Sequence, residues 1–518
     1  MNIRLPSPRR LPIAVTAGGF CLSVFIGIIG IDFGYHWDEC AVLRYEINAW
    51  LPLEYGYPSM TYNISHLAIA SHLARKAIEF RIEDTATWRE KLRRYSDDVR
   101  NRERMKLIAR GTCLVVSQLA VVAVFLIVDG AFGWWEACLA CLLLSFSNEF
   151  LYHSRWVVPD TLMAFWATSA LAAILLALRR GSVAILYGAA VLAGLAIATK
   201  YTAIFLLCPL CACCLLLPHA TRMQGLLRCA MLSAAAGAVF FLVCPGIILE
   251  QEKFWRTLAP VVSDYSTGLG GYSVPPGLPH LARSLLYLST QWFSRSMELN
   301  LVLSAFCVWG IASWVRTRGR EAALVLLCLA LYTGFIISHR VMLVRNLMLL
   351  FPFLAVFTAR GLASAGSMAR PLPRALLYAC AAAAVAASAF VEMRDAVEIR
   401  AHARDYDYPL VQALRHIARD PGRRYYIHPN IRGPLARQGP LPPNAGGIAE
   451  GADFVLAFPP VFPRDIENSP FAFREWFGTR EVNYRYYSTW QWRTWGMERD
   501  KPNPVILLPG DARRYGLQ

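Results

Sequence analysis

Two adjacent carboxylates, Asp38 and Glu39, stand where an apolar run of about 20 residues ends, in the stretch GIDFGYHWDEC (30–40). Ionisable groups at the edge of a bilayer are costly to keep there, so each one is a candidate for function. A carboxylate in this place can act as a general base that accepts the proton of a hydroxyl group. The alternative interpretation is that the pair only caps or anchors the first helix.

Further charged and polar side chains occur at the ends of later apolar runs. Cations there could bind a phosphate group and stabilise the negative charge that develops on it. A carboxylate such as Asp160 also stabilises a helix N-terminus whatever its function, and Arg155 or Lys200 could instead anchor lipid headgroups. The candidates for phosphate binding are Arg155, Lys200, Arg340 and Arg345, and the candidate supporting residues are Asp160, Tyr201, Glu250 and His339.

The composition indicates a membrane protein. Of the 518 residues, 56% are hydrophobic and only 17% are charged, a balance that a soluble chain of this length does not have. The net charge of +16 does not predict a nucleic-acid partner, because Lys and Arg lie mostly in short loops, where they set the topology. All of the 14 cysteines except Cys40 fall in apolar runs, so a disulfide framework is not expected.

Apolar runs long enough to cross a bilayer recur along the chain and predict a polytopic α-helical membrane protein. Arginines fall on alternate loops, which places those loops and the N-terminus in the cytoplasm and the C-terminal segment outside. By the same parity, every candidate site residue lies at the outer face. The 11 predicted spans are 11–31, 107–128, 134–150, 161–178, 183–199, 202–217, 229–249, 298–315, 322–338, 343–360 and 375–391.

The chain is predicted to have two domains. Residues 1–391 form a transmembrane module that includes an outer loop at 32–106, and residues 392–518 form a small extracytoplasmic α/β domain. In the second domain, the segments RRYYIHP, ADFVLAF and NPVILLPG have the pattern of strands.

Acids and cations gathered at one face of a membrane suit transfer from a phosphate-linked donor. Cations hold the phosphate, and a carboxylate takes the proton of the acceptor. The hydrophobic part of the donor can lie in the bilayer while its headgroup enters the site. A lipid-phosphate sugar meets all of these conditions.

Four motifs within residues 10–365 resemble, in their order and spacing, the signatures of the GT-C superfamily of glycosyltransferases. The groups that they resemble most are the protein O-mannosyltransferases and the bacterial aminoarabinose transferases that modify lipid A. The resemblance implies a GT-C fold for the transmembrane module. The motifs are HWDEC…LPLEYGYPSM, SRWVVPDTLMAF, GLAIATKYTAIFLL and RVMLVRNLMLLFPFLAVFTARGL.

The resemblance also implies roles for individual residues. Asp38 corresponds to the catalytic base of the family, and Glu39 to the second acid of an Asp-Glu pair. Arg155 and Asp160 resemble an Arg…Asp element of the second outer loop. The remaining matches are Lys200, to the Lys of the fifth-span signature, and Arg340 or Arg345, to a late arginine that contacts the donor phosphate.

The sequence therefore predicts an inverting glycosyltransferase that uses a polyprenyl-phosphate sugar at the outer (periplasmic) face of the plasma (inner) membrane. The sugar stays open, and the acceptor could be a lipid, a protein or a polysaccharide. Cations alone could meet the phosphate, or a divalent metal ion held by Asp38 and Glu250 could do so. The alternative function is a transporter or flippase of lipid-linked sugars, although the internal repeats typical of such folds are not evident.

Overall fold

Long α-helices make up most of the structure, in agreement with the apolar runs of the sequence. The computed structural model describes residues 10–32, 55–97, 99–217, 221–268, 273–402, 417–427, 441–446, 452–457 and 506–509. Two residues of the predicted site, Asp38 and Glu39, lie outside these ranges.

From α2 to α18, most successive helices within the described ranges are joined by short connections. Two 3-10 segments, Tyr201–Leu206 and Val344–Leu350, directly precede α10 and α17. The described α-helices are α1 (Arg10–Ile29), α2 (Met60–Glu83), α3 (Trp88–Asp97), α4 (Val99–Gln118), α5 (Ala120–Ala131), α6 (Trp134–Ser145), α7 (Asn148–Ser154), α8 (Pro159–Arg180), α9 (Val183–Thr199), α10 (Leu207–Leu216), α11 (Arg222–Val243), α12 (Gly246–Leu249), α13 (Gln251–Thr267), α14 (Leu278–Gln291), α15 (Met297–Thr317), α16 (Gly319–Ile337), α17 (Phe351–Met368) and α18 (Pro371–His402).

Within the described ranges, 8 helical segments are long and apolar enough to cross a bilayer. The fold is thus that of a polytopic α-helical membrane protein, as predicted. Three further predicted spans coincide with the shorter apolar helices Trp134–Ser145, Val183–Thr199 and Tyr201–Leu216. The total of eleven spans stays a prediction, because these three are shorter than the roughly 20 residues that usually cross the hydrocarbon core. The longer segments are Leu11–Ile29, Arg104–Ala131, Pro159–Arg180, Arg222–Val243, Met297–Thr317, Gly319–Ile337, Val344–Met368 and Pro371–Val397.

Glycine allows α15 and α17 to cross at close range. A Cβ atom added at Gly310 would lie 1.8 Å from the carbonyl oxygen of Phe357, and one at Gly361 would lie 1.9 Å from the carbonyl oxygen of Phe306. Small residues permit such approach in membranes, where packing rather than exclusion of water drives helix association. This contact fixes α17, whose preceding 3-10 segment carries Arg345.

Ion pairs join the helices at the end of the bundle opposite Asp160. Arg179, in the last turn of α8, contacts both carboxylate oxygens of Glu321 at 3.2 and 2.7 Å and donates to the carbonyl of Ile127 at 3.1 Å. Arg360 of α17 lies 3.2 Å from Glu136 of α6. Arginines that were predicted to set the topology therefore also bind neighbouring helices to one another.

The chain divides into two compact units. The first contains residues 1–28, 41–79 and 106–396, and the second contains residues 29–40, 80–105 and 397–518. The boundary predicted at residue 391 stays a prediction.

A four-stranded sheet lies in the second unit. Its strands are ordered β2-β1-β3-β4, with β1 parallel to β2 and β3, and β4 antiparallel to β3. Three of these strands lie in the segments predicted to be strands, while the small α/β domain as a whole stays a prediction. The strands are β1 (Tyr425–Ile427), β2 (Ala445–Gly446), β3 (Phe454–Ala457) and β4 (Ile506–Pro509).

Candidate active site

Asp160 lies in the first turn of α8 and is fully buried, with 0% of its surface exposed. The local sequence VPD explains this position. Pro159 begins the helix, where its missing N–H does no harm, and Val158 before it is extended, as residues that precede proline usually are. A carboxylate in the first turn also lies at the positive end of the helix dipole. The start of this span therefore holds a buried negative charge.

Lys200 separates α9 from the 3-10 segment that follows. Its backbone is extended, with φ −151° and ψ 128°, which breaks the run of helix at this residue. The Nζ atom donates one hydrogen bond to Oδ1 of Asp160 and another, of 2.8 Å, to Oδ1 of Asn346. A buried ammonium requires such partners, because desolvation of an unpaired charge is costly.

Arg345 brings a second cation to the same carboxylate. Its Nε atom lies 3.8 Å from Oδ2 of Asp160, which is a charge contact rather than a hydrogen bond. Its Nη2 atom donates to the hydroxyl of Tyr57 at 3.1 Å. Lys200 and Arg345 thus bring two cations to one buried carboxylate, and such cations are the groups that bind phosphates.

Tyr57 contacts this group from the segment that precedes α2. Burial is the main reason that the pKa of its phenol lies well above the ordinary value of 10.0, and the charge of Asp160 raises that pKa further. The phenol therefore keeps its proton at neutral pH. Because its oxygen accepts from Arg345, its own O–H can donate to another oxygen.

Three residues of this group, Asn346, Tyr265 and Tyr57, were not predicted from the sequence. The side-chain nitrogen of Asn346 donates to the hydroxyl of Tyr265 at 3.2 Å, and the backbone carbonyl oxygen of Asn346 accepts from the hydroxyl of Tyr332. One signal was available for Asn346, since a polar amide beside Arg345 opens an otherwise apolar span. Tyr57 lies in the motif segment LPLEYGYPSM, which is a signal for this residue, whereas nothing in the sequence singles out Tyr265 among the 22 tyrosines of the chain.

Glu250 and Tyr201 are brought together by Tyr55. The Tyr55 hydroxyl donates to Oε2 of Glu250 at 2.7 Å, and Nζ of Lys253 lies 3.1 Å from the same oxygen. The hydroxyl of Tyr201 donates to the carbonyl oxygen of Tyr55 at 3.2 Å. The hydrogen bond from Tyr55 is the main reason that the pKa of Glu250 lies below its ordinary value. Glu250 is thus an ionised, partly exposed carboxylate.

Arg155 is engaged elsewhere in the bundle. Its Nη2 atom lies 3.2 Å from Oε2 of Glu392, with side-chain exposures of 3% and 2%. Within the described ranges, no hydrogen bond or ion pair joins Arg155 to Asp160. Its predicted contact with a donor phosphate stays a prediction.

Arg340 and His339 lie in the connection between α16 and the second 3-10 segment. The side chain of Arg340 is exposed, while its N–H donates to the carbonyl of Tyr265 at 2.9 Å and its own carbonyl accepts from Val274 at 2.7 Å. The ring of His339 lies edge-on to that of Tyr265, with centroids 5.9 Å apart. Of the two late arginines, Arg345 belongs to the buried group and Arg340 to the exposed connection.

The alternative prediction is a divalent metal ion held by Asp38 and Glu250. In the described part of the chain, no cluster of three or more His, Cys, Asp or Glu side chains could hold a metal ion. Glu250 contacts Tyr55 and Lys253, and Asp38 lies outside the described residues. A divalent ion at this site stays a prediction.

Part of the chain is similar to a known family. Residues 105–248, which include Arg155, Asp160 and Lys200, match the family described as dolichyl-phosphate-mannose-protein mannosyltransferase. No curated protein matches the chain.

Solved structures of two kinds are similar to this chain. ArnT from Cupriavidus metallidurans bound to undecaprenyl phosphate is 13% identical, with 82% of this chain and 85% of that chain covered and a TM-score of 0.53. The apo state of the same protein is 14% identical over 83% and 84% of the two chains, with a TM-score of 0.49. The archaeal oligosaccharyltransferase AglB from Archaeoglobus fulgidus, in complex with an inhibitory peptide and a dolichol-phosphate, is 13% identical over 84% and 64%, with a TM-score of 0.45.

These findings define a class of protein. The arrangement of helices is the GT-C fold, and the family match covers the part of the chain that holds the buried charges. The resemblance of the sequence motifs to the GT-C superfamily of membrane glycosyltransferases is thereby confirmed.

Proposed function

We propose that this chain is an inverting glycosyltransferase that moves a sugar from a polyprenyl-phosphate-linked donor to a hydroxyl acceptor at the outer face of the membrane. The observation that carries the proposal is the buried group formed by Asp160, Lys200 and Arg345. The two cations lie at the ends of membrane helices, where the headgroup of a lipid-linked anion would arrive.

In the donor complex, Lys200 and Arg345 bind the phosphate. The ammonium of Lys200 has a third N–H beyond its bonds to Asp160 and Asn346. The guanidinium of Arg345 is not hydrogen-bonded to Asp160, at 3.8 Å, so it can turn toward a phosphate without breaking a bond to that carboxylate. The leaving group departs as a phosphate anion, which needs charge stabilisation and no added proton.

Asp38 acts as the general base in this mechanism, with Glu39 beside it. The acceptor oxygen bonds to the anomeric carbon while the bond from that carbon to the phosphate oxygen breaks on the opposite side, so the configuration inverts. The acceptor proton passes to the carboxylate of Asp38. The support for this role is the Asp-Glu motif, since both residues lie outside the described structure.

The similarities support the choice of donor. The solved ArnT structure contains undecaprenyl phosphate, and the matched family is named for a dolichyl-phosphate-linked mannose. Both ligands join a long isoprenoid chain to a phosphate, which is the chemistry that a cationic site at a membrane edge suits.

Other predicted residues keep supporting parts in the proposal. Arg155 and Arg340 are candidates for further phosphate contacts, and a divalent ion held by Asp38 and Glu250 is the alternative to cationic side chains alone. The acceptor, whether lipid, protein or polysaccharide, and the identity of the sugar are open.

Donor turnover by the purified protein in detergent tests the proposal. Wild type is compared with Asp38→Asn, with a panel of polyprenyl-phosphate sugars and membrane extract as the source of acceptor. We expect one donor to be consumed by wild type and its turnover to fall by about 10²–10⁴ in the variant. Turnover by Asp38→Asn equal to that of wild type would refute the proposed base, and binding of a donor without consumption would favour a transporter of lipid-linked sugars.

The proposed orientation has its own test. The parity of the spans places the N-terminus in the cytoplasm and the C-terminus outside the inner membrane. Alkaline phosphatase fused after residue 518 should therefore be active, because the enzyme folds only outside the cytoplasm. An inactive but intact fusion would reverse the proposed orientation.

A further inference from the structure

Asn346 connects three helical segments through one residue. Its Oδ1 atom accepts a hydrogen bond of 2.8 Å from Lys200, and its Nδ2 atom donates one of 3.2 Å to Tyr265 on α13. Its backbone carbonyl oxygen accepts from the hydroxyl of Tyr332 on α16. Only 2% of the residue is exposed. Hydrogen bonds to the side chain and to the backbone therefore hold Asn346 in place.

The partners decide which way the amide points. A lysine ammonium only donates, so it must face the amide oxygen, and the amide nitrogen then faces Tyr265. Because the Tyr265 oxygen accepts from Asn346, its own O–H can donate to a further acceptor. Asn346 thus holds two donors, the ammonium of Lys200 and the phenol of Tyr265, on either side of one small planar group.

The neutrality of Asn346 matters as much as its shape. A carboxylate at position 346 would form an ion pair with the ammonium of Lys200. Such a pair would compete with a phosphate for this ammonium and would repel the anion. An amide oxygen orients the ammonium without placing a negative charge beside it.

We propose that Asn346 is a positioning residue that orients the Lys200 ammonium toward the donor phosphate without placing a negative charge beside it. The inference rests on the proposed function, because it requires that Lys200 meets a phosphate. Through Tyr265, the same amide joins this cation to α13, whose backbone is bonded to Arg340. Helix α13 and the ammonium of Lys200 therefore belong to one hydrogen-bond network.

The test compares the binding of two lipids, undecaprenyl phosphate and undecaprenol, to purified protein in detergent micelles. The lipids differ only in the phosphate, so the ratio of their affinities reports the phosphate contact. A merely structural defect would weaken both lipids alike and leave this ratio unchanged.

The informative variants are Asn346→Asp, Asn346→Ala and Tyr265→Phe. For Asn346→Asp, we expect undecaprenyl phosphate to bind at least about tenfold more weakly, because the new carboxylate competes with the phosphate for Lys200. A tenfold loss in affinity corresponds to about 1.4 kcal/mol. The affinity for undecaprenol should not change. Asn346→Ala should lower the ratio less, and Tyr265→Phe least, since it keeps the contact with Lys200. In Asn346→Asp, the new carboxylate would face the ammonium of Lys200 and the hydroxyl of Tyr265.

A matched control is Ser266→Asp, which adds the same charge at an exposed residue beside Tyr265 and should bind both lipids as wild type does. Equal affinity ratios for wild type, Asn346→Asp and Asn346→Ala would overturn the inference and leave the proposed function intact. A wild type that does not prefer undecaprenyl phosphate to undecaprenol would overturn both, so the two failures are distinguishable.

Discussion

The guanidinium of Arg155 lies 3.2 Å from the carboxylate of Glu392, and both side chains are almost completely buried. The two residues are 237 positions apart in the chain. One turn of α18 further on, Asp395 forms an ion pair with Arg295. Two ion pairs therefore attach α18 to the rest of its unit. The apolar pattern of the sequence does not predict these pairs.

Loss of one member of the Arg155–Glu392 pair should destabilise the protein more than loss of both. We expect Glu392→Ala to lower the free energy of unfolding by about 3–5 kcal/mol, because it leaves a buried guanidinium without its counter-charge. The double variant Arg155→Leu with Glu392→Leu should recover most of this loss. Thermal unfolding in detergent measures both effects.

The same double variant tests the predicted phosphate contact of Arg155. If the arginine serves chiefly to pair with Glu392, its loss removes no contact with the lipid. The double variant should then bind undecaprenyl phosphate within about threefold of wild type, a difference below the roughly 1.4 kcal/mol that corresponds to tenfold in affinity. Loss of lipid binding by a stably folded double variant would instead assign Arg155 to the phosphate.

Lys200 should be needed both for stability and for the donor, and the two effects should separate. Lys200→Met leaves Asp160 as a buried carboxylate with one partner fewer, so we expect a loss of about 3–5 kcal/mol in stability together with weak lipid binding. Asp160→Asn combined with Lys200→Met should restore much of the stability but not the binding of undecaprenyl phosphate. Restored binding in this double variant would remove Lys200 from the phosphate site.

Glu250 predicts a dependence of stability on pH. Its pKa lies below the ordinary value of 4.5, first because Tyr55 donates a hydrogen bond to it and second because Lys253 lies nearby. A carboxylate whose pKa is lower in the folded state stabilises the protein above the pKa of the unfolded state, and this contribution is lost as the pH falls through the folded-state pKa. Tyr55→Phe should therefore lower the thermal midpoint most at neutral pH, and the difference from wild type should shrink below pH 4.5.

A suitable control for this measurement is Tyr187→Phe. The hydroxyl of Tyr187 contacts the sulfur of Met231 rather than a carboxylate. Its effect on the thermal midpoint should therefore be the same at each pH. A difference between wild type and Tyr55→Phe that does not change between neutral and acidic pH would show that the hydrogen bond does not lower the pKa of Glu250.

The crossing of α15 and α17 should not tolerate a methyl group. Gly310→Ala would place a Cβ atom 1.8 Å from a backbone oxygen, so the helices must separate, and we expect a loss of about 1–3 kcal/mol in stability, as for other overpacked sites. Gly334→Ala on α16 is the control, because its Cβ atom would meet nothing within 4 Å. Equal thermal midpoints for the two variants would argue against the close crossing.

Much of the architecture was predictable from the sequence, because hydropathy is a local property. Runs of apolar residues locate the spans without knowledge of the packing, and alternation of the loops then assigns each span end to one of two faces. For this reason Asp160, Lys200 and Arg345 were expected at the same end of the bundle, although they come from different loops. The motif order also indicated the superfamily.

The pairing of side chains was decided only by the tertiary structure. Whether Lys200 meets Asp160, and Arg155 meets Glu392, depends on how each helix is rotated and where it crosses its neighbours, and these quantities are set by packing between distant segments. Asn346 shows the limit most clearly. Its sequence neighbours mark it only as a polar residue before an apolar run. Its contacts with Lys200, Tyr265 and Tyr332 arise because segments that are distant in the sequence converge on this one buried residue.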